Sequence, residues 1–397
     1  MNNSEKLFER SSKVFPKGVN SPVRYYPPYP VFIERGEGSR MWDADGKEYL
    51  DFVLAYGPLI LGHAPKEVVE AVKGVMDDGT LYGAPTELEV KFGELITRSA
   101  SLDKIRLTNS GTEATMHAIR LARYVTGRKK VLKIVGGYHG AHPYNFDSEY
   151  VESVEFNEPD AAREKLSGKE FACMIVEPVM GNVGVVNPEE GYLDDIREAT
   201  EKTGTLLIMD EVITGFRTGF YPFYKREKVR PDITTFAKII GGGFPLAAYG
   251  GDERIMKEVR PEGEFPQAGT YSGNPVSVAA GLKTMEILSK KDYSYLSNIT
   301  RVAAGSLSGS GLTVNYQPGM LSLFFTDRDV RRGSDVFSSR KDLYFKWFRK
   351  ALELGFYIPP SYDETIFLSF AHRQNEVRGA FEILADEAKR IWKERSK

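Results

Sequence analysis

Residues 104–125, KIRLTNSGTEATMHAIRLARYV, contain the pattern that decides the fold. The segment from Lys104 to Leu107 predicts a strand, and residues 112–125 carry the apolar spacing of a helix. Between them, Asn109-Ser-Gly-Thr forms a tight connection that follows the strand and opens the helix. The stretch therefore predicts one strand–turn–helix unit of an α/β protein.

The same alternation continues on both sides of this unit. Further strands are predicted at 131–135, 171–176 and 205–209, with short apolar segments near 232–237 and 246–249, and helices at 65–76, 86–98 and 189–203. Strands that are continuous apolar runs between helices are typical of a parallel sheet covered on both faces. Such a sheet binds its ligands at the carboxyl ends of its strands.

The two ends of the chain follow a different pattern. Short strands are predicted at 31–33, 40–42 and 49–53 near the start, and at 312–314, 321–325 and 365–369 near the end, with helices at 341–354 and from about 375. We predict a large domain over residues 61–285. Residues 1–60 and 286–397 are expected to form a smaller α+β domain together.

Composition excludes several classes of protein. The 53 basic and 55 acidic residues among 397 leave a net charge of −2, so bulk charge indicates neither a nucleic-acid partner nor a lipid surface. The longest nearly apolar stretch, residues 52–62, is shorter than the ~20 residues of a membrane helix. One cysteine, Cys173, fits a reducing cytoplasm. The five histidines do not have the paired spacing of metal ligands, so the sequence predicts no metal site.

The connection Ser110-Gly111-Thr112 is a candidate phosphate site. A helix start presents free N–H groups and the positive end of the helix dipole to an anion. Ser110 and Glu113 also have the spacing of a capping box, and an ordinary helix cap is the alternative interpretation.

Two further segments carry charged groups at the ends of apolar runs. In TLLIMDEV (205–212), either Asp210 or Glu211 is expected at the carboxyl end of a strand, where a protonated ring nitrogen of a cofactor or a salt bridge would partner it. In TTFAKIIGGG (234–243), Lys238 lies in an apolar stretch, and desolvation favours its neutral, nucleophilic amine. The alternative is a lysine whose amine reaches solvent.

The turn GGYHG (136–140) places an aromatic ring and an imidazole after another strand. Tyr138 could stack on a planar cofactor. His139 is a candidate for the same site, or equally a buried histidine with its own hydrogen-bond partner.

These four segments, in this order, resemble class III pyridoxal-phosphate-dependent aminotransferases of fold type I. The resemblance implies that Lys238 binds the cofactor covalently and that Asp210 holds its pyridine nitrogen. It also implies that Tyr138 stacks on one face of the ring and that Val212 covers the other.

The same resemblance implies how the phosphate is bound. Ser110, Gly111 and Thr112 match the family's phosphate loop. AGTYSGNP (268–275) matches a segment whose threonine reaches the phosphate of the partner subunit, which implies a homodimer with Thr270 at its interface.

Other motifs, above all GVNSPVR (18–24), narrow the resemblance to the glutamate-1-semialdehyde aminomutase branch of the family. That branch implies an isomerase of tetrapyrrole biosynthesis that moves an amino group within one substrate, with the cofactor entering as pyridoxamine phosphate. Ser21 and Arg24 are then candidates for the substrate carboxylate, and Glu364 is a further substrate-binding candidate.

One departure from the family pattern leaves two alternatives open. Where relatives carry a longer gating segment, the chain passes through residues 143–152 directly to a strand predicted at 154–157. A short segment at 141–153 favours an ordinary aminotransferase, which exchanges nitrogen with a keto acid. The other alternative, a cofactor-binding dimer partner without catalysis, is disfavoured by intact Lys238 and Asp210.

Overall fold

The computed structural model describes residues 2–146 and 149–395, and a seven-stranded sheet lies at the centre of these two ranges. Its strands follow the order Lys104–Thr108, Ala247–Gly251, Ile233–Phe236, Leu206–Asp210, Phe171–Val176, Lys130–Ile134 and Val151–Val154. The strand Ala247–Gly251 is antiparallel to both of its neighbours. The others share one direction, and every residue of Phe171–Val176 is buried. The sheet is thus mostly parallel and covered on both faces.

Two smaller sheets use the ends of the chain. The first contains Ile33–Glu37, Arg40–Asp43, Glu48–Asp51 and Phe356–Tyr357, and the second contains Thr313–Gln317, Met320–Phe324 and Ile366–Phe367. In the first sheet Phe356 pairs with Leu50, so a strand from the end of the chain joins strands from its beginning. The domain borders at residues 60 and 285 stay a prediction.

Helices cover the sheets over most of the described chain. The α-helices are Asn3–Ser11, Lys66–Asp78, Glu87–Ala100, Gly111–Thr126, Pro143–Phe146, Pro159–Leu166, Tyr192–Thr203, Phe223–Arg226, Glu253–Met256, Pro275–Leu288, Tyr293–Ser308, Gly333–Phe337, Lys341–Glu353 and Gln374–Glu394. Short 3₁₀ turns occur at Pro16–Gly18, Pro22–Arg24, Leu54–Tyr56 and Lys238–Gly241. Across residues 2–146 and 149–395, no helix has the length and apolar character that crossing a membrane requires.

The helix Gly111–Thr126 is the element that links the core to the candidate phosphate site. Its alanines 114, 118 and 122 are fully buried and pack with Ile208 and Ile233 of the central sheet. Small side chains on this face let the helix lie close to the strands. The start of the helix is thereby held beside the carboxyl ends of the neighbouring strands.

Some predicted bounds are shifted in the structure. The strand predicted at 154–157 occupies Val151–Val154, and the helix predicted from residue 189 begins at Tyr192. Gly191 precedes that helix with a left-handed backbone, which ends the preceding turn.

Candidate active site

A cavity of about 410 Å³ lies where the parallel strands end. Asp210 is the last residue of its strand, and Lys238 follows the neighbouring strand Ile233–Phe236 by two residues. The predicted site residues that line the cavity are Ser110, Gly111, Thr112, Tyr138, His139, Asp210, Val212 and Lys238. The carboxyl ends of the strands in the central sheet therefore bring together segments that are far apart in the chain.

Asp210 is buried and held in one orientation. Its Oδ2 lies 2.8 Å from Nδ1 of His139. Its Oδ1 accepts from the backbone N–H of Val212 at 3.0 Å and from the hydroxyl of Thr235 at 3.1 Å. A carboxylate has about four acceptor positions, so Asp210 keeps capacity for one more donor from the cavity.

Glu211 does not share this role. Its Oε1 accepts from the backbone N–H of Tyr224 at 2.9 Å, and its Oε2 accepts from the hydroxyl of Thr214. Glu211 is buried and does not line the cavity. Of the two carboxylates left open by the sequence, Asp210 is the one at the cavity.

His139 is 1% exposed and contacts Asp210 through Nδ1, while its Nε2 is buried without a hydrogen-bond partner among the described residues. The hydroxyl of Thr115 donates to its carbonyl oxygen at 2.5 Å. Both interpretations of His139 hold in part, because it lines the cavity and is also a buried histidine with a partner.

Lys238 begins a 3₁₀ turn with a left-handed backbone, φ +48°. Its Nζ donates to the carbonyl oxygen of Tyr56 at 2.8 Å. Burial, and secondarily the positive charge of Arg217, lower the pKa of Lys238 to about 8, against the opposing charges of Glu364, Glu177 and Asp210. The neutral amine that a nucleophile or base needs is therefore accessible near neutral pH.

The candidate phosphate cradle is built around the start of the helix Gly111–Thr126. The Ser110 hydroxyl accepts from the backbone N–H of Glu113 at 3.2 Å. The predicted capping box is incomplete, because Glu113 accepts instead from the backbone N–H of Asn109 at 2.9 Å. A Cβ on Gly111 would lie 3.2 Å from Val212. Glycine thus lets Val212 lie close to the helix start, whose backbone N–H groups can bind an anion.

Four predicted residues do not line this cavity. Thr270 is exposed and lines a separate groove formed by residues 81–85 and 268–275. Glu364 acts on Lys238 through its charge, and burial raises the pKa of Glu364 to about 7. Arg24 is the last residue of the turn Pro22–Arg24, and Ser21 directly precedes that turn. The Tyr56 hydroxyl donates to the carbonyl of Val23 within the turn at 2.5 Å.

Several cavity-lining residues were missed as site candidates, among them Glu177 and Asn182. Glu177 follows the strand Phe171–Val176, and both Glu177 and Asn182 line the cavity. The backbone N–H of Gly181 donates to Oε2 of Glu177 at 2.9 Å, whereas its Oε1 is buried without a partner in the described chain. Burial raises the pKa of Glu177. The signal was its place directly after a buried strand, close to the position of Asp210 at the end of its own strand.

These groups fit pyridoxal phosphate. A helix start can hold the phosphate, Asp210 has spare acceptor capacity for a protonated ring nitrogen, and Lys238 has a lowered pKa. No group of three or more metal-ligating side chains occurs among residues 2–146 and 149–395.

A family model described as "Aminotransferase class-III" matches residues 22–146 and 141–308. The chain belongs to the class-III aminotransferase family. A glutamate-1-semialdehyde 2,1-aminomutase of Thermoplasma volcanium is 44% identical and aligns over 94% of this chain and 96% of its own length. Membership in the class-III family makes the chain an enzyme of a pyridoxal-phosphate-dependent family.

Solved structures agree with the fold of the class-III family. A crystal structure of an omega-transaminase from Sphaerobacter thermophilus has a TM-score of 0.91 at 30% identity and covers 98% of both chains. A glutamate-1-semialdehyde-aminomutase from Pseudomonas aeruginosa PAO1 in complex with PMP has a TM-score of 0.88 at 24% identity over 97% of this chain and 93% of its own, which shows the fold alone. The predicted α/β fold of type I is confirmed.

Proposed function

We propose that this class-III enzyme is a glutamate-1-semialdehyde 2,1-aminomutase, which converts glutamate-1-semialdehyde to 5-aminolevulinate for tetrapyrrole biosynthesis. The observation that carries the proposal is the 44% identity to an aminomutase along nearly the whole of both chains. The reaction needs one substrate, whose amino group moves from one carbon to its neighbour.

Asp210 and the phosphate loop would hold the cofactor. Asp210 accepts from the protonated ring nitrogen, while Ser110, Gly111 and Thr112 bind the phosphate at the helix start. Tyr138 and Val212, which both line the cavity, would cover the two faces of the ring. When bound, the cofactor supplies an electron sink for negative charge at the carbon that loses a proton. His139 keeps Asp210 oriented through its contact at 2.8 Å.

Lys238 would move protons between the cofactor carbon and the substrate carbon. Its pKa of about 8 leaves a useful fraction of neutral amine at neutral pH, which can take up a proton and return it. The carbonyl of Tyr56 holds Nζ at 2.8 Å and fixes the position of the amine in the cavity.

The substrate and assembly residues complete the proposal. Arg24 and Ser21 bind the substrate carboxylate, for which an arginine offers a planar fork, and Glu364 faces the substrate near Lys238. The enzyme is a homodimer in which Thr270 reaches the phosphate bound by the other subunit; its exposure in one chain fits such a contact. The lone Cys173 is buried and fits the cytoplasmic location that we propose.

The test is a product assay with glutamate-1-semialdehyde as the only substrate. We expect 5-aminolevulinate without any keto acid from the wild type and from K257A, which changes an exposed lysine. K238A should form no product and should not be labelled by borohydride trapping of the cofactor. A strict requirement for a keto acid, or an equally trapped K238A protein, would overturn the proposal.

A class-III aminotransferase acting on another amino donor and a keto acid is the second candidate. It is favoured by the short connection at 141–153, which leaves little chain to close over an intermediate. Of that segment the structure shows the helix Pro143–Phe146 and residues 149–153, and residues 147–148 lie outside the described chain. Transfer of nitrogen from an amine to a keto acid, without mutase turnover, would establish this candidate.

A further inference from the structure

An unusual backbone segment supplies the carbonyl that holds Lys238. Leu54, Ala55 and Tyr56 have left-handed φ angles of 49°, 56° and 65°, and Gly57 follows at 112°. A left-handed conformation is sterically unfavourable for a non-glycine residue. Three in a row persist only where the surroundings hold them.

Two charged side chains hold the ends of this segment. At its start, Asp51 Oδ1 accepts from the backbone N–H groups of Val53 at 2.8 Å and Leu54 at 3.0 Å. At its end, Arg217 Nη2 donates to the carbonyl oxygen of Gly57 at 2.7 Å. The Tyr56 carbonyl that accepts from Lys238 lies between these two anchors.

Arg217 is a charged residue in a fully buried position. It is 0% exposed, and no carboxylate pairs with it among the described residues. Its Nε donates to the carbonyl of Ile213 at 2.8 Å, its guanidinium lies 4.6 Å from the ring centroid of Phe367, and its Nη1 has no partner among described residues. A buried cation without a counter-charge is costly, so packing alone does not explain an arginine here.

Lys238 and Arg217 donate to adjacent carbonyls of the same strained segment, those of Tyr56 and Gly57. We propose that Arg217 is a positioning residue for Lys238: it fixes the carbonyl that orients Nζ and places a positive charge beside the amine. This inference rests on the catalytic role of Lys238 in the proposed function.

The charges around Lys238 make the sign of the effect clear. Arg217 lowers the pKa of Lys238, whereas Glu364, Glu177 and Asp210 raise it. Removal of the Arg217 charge leaves three carboxylates facing the amine. The amine should then hold its proton to higher pH, and less of it should be reactive near neutrality.

The experiment measures the reactivity of the Lys238 amine directly. Enzyme reconstituted with pyridoxamine phosphate, in which this amine is not bound to the cofactor, is treated with trace acetic anhydride between about pH 6 and pH 10, around the usual range of lysine. Peptide mass spectrometry then quantifies acetylation of Lys238 against the exposed Lys257 as an internal standard. The variants are R217Q, which loses the charge, R217K, which keeps it, and R226M as a control at an exposed arginine.

We expect wild type, R226M and R217K to be labelled with a midpoint near pH 8. The R217Q midpoint should rise by about one pH unit, which means about tenfold less labelling below the midpoint. R217K should lower kcat, since one ammonium cannot replace the paired contacts to Gly57 and Ile213.

An unchanged midpoint in folded R217Q, or an unchanged kcat in folded R217K, would overturn the proposal. If R217Q does not fold, G57A tests the contact instead, because its Cβ would lie 2.8 Å from Arg217 Nη2 and displace the guanidinium from the Gly57 carbonyl, which should lower kcat. An unchanged kcat in folded G57A also counts against the inference. Labelling needs no turnover, so failure of the aminomutase assay and failure of this inference are separate results.

Discussion

Glu211→Gln should remove a pH-dependent loss of stability. Burial raises the pKa of Glu211 from 4.5 to about 7, although the hydroxyl of Thr214 and the backbone of Tyr224 donate to its carboxylate. The folded protein therefore keeps a proton on Glu211 between pH 4.5 and pH 7 that the unfolded chain has released. More protons bound in the folded state mean that the free energy of unfolding falls as pH rises through this window.

The size of this loss follows from the shift in pKa. At about 1.36 kcal/mol per pKa unit, the shift of Glu211 corresponds to about 3 kcal/mol lost above pH 7 relative to pH 4.5. Screening by solvent reduces it little, because Glu211 is 1% exposed. Glutamine has no proton to release, and it can still accept from Tyr224 and donate to Thr214, so E211Q should lack this loss.

Urea unfolding at about pH 4.5 and about pH 8 measures how the free energy of unfolding changes with pH. All samples have one protein concentration, because the enzyme is proposed to be a dimer. The free energy of unfolding of E211Q, relative to that of wild type, should be about 3 kcal/mol higher at the higher pH than at the lower pH. E201Q, at an exposed glutamate, should show no such gain. D210N should lose cofactor binding. An E211Q effect of equal size at both pH values would refute the reasoning.

Three further substitutions test the cavity. H139L removes the hydrogen-bond donor 2.8 Å from Asp210. Because a hydrogen bond to a charged group contributes about 1.5–3 kcal/mol, kcat/KM should fall roughly 10- to 100-fold in steady-state kinetics. A change of less than about twofold would contradict this expectation. G111V places a side chain against Val212, because even a Cβ at this position would lie 3.2 Å from Val212. Absorbance titration should therefore show weaker cofactor binding. Tight binding would count against the phosphate cradle. T270A should release the cofactor about tenfold faster during dialysis. An unchanged rate of cofactor release from a T270A dimer would argue against a contact of Thr270 across the interface.

The central sheet was predictable because buried parallel strands are uninterrupted apolar runs between helices. The direction of Ala247–Gly251 was not, since all five residues are buried and such a run has the same pattern in either direction. The helices Pro275–Leu288 and Tyr293–Ser308 were not predicted. Most of Pro275–Leu288 is buried, so it lacks the one-sided apolar spacing by which a surface helix is recognised.

The cavity residues were predictable where each lies at the end of a strand or within two residues after it, as Asp210 and Lys238 do. Contacts between distant segments were not, and the pair His139–Asp210 spans 71 positions in the chain. Glu177 satisfies the same positional rule as Asp210. It was missed because a single carboxylate after an apolar strand is also typical of an ordinary helix cap or salt bridge.

The backbone that holds Lys238 has almost no signature in the sequence. Leucine, alanine and tyrosine at 54–56 do not favour left-handed angles, and Gly57 alone indicates an unusual turn. A segment that opposes local preference must be compensated by its surroundings, and such segments concentrate at functional sites. Here the compensation comes from Asp51 and Arg217, two buried charged groups that are costly elsewhere in a core. Both costs are explained together if the carbonyl of Tyr56 must stand at one point beside the amine of Lys238.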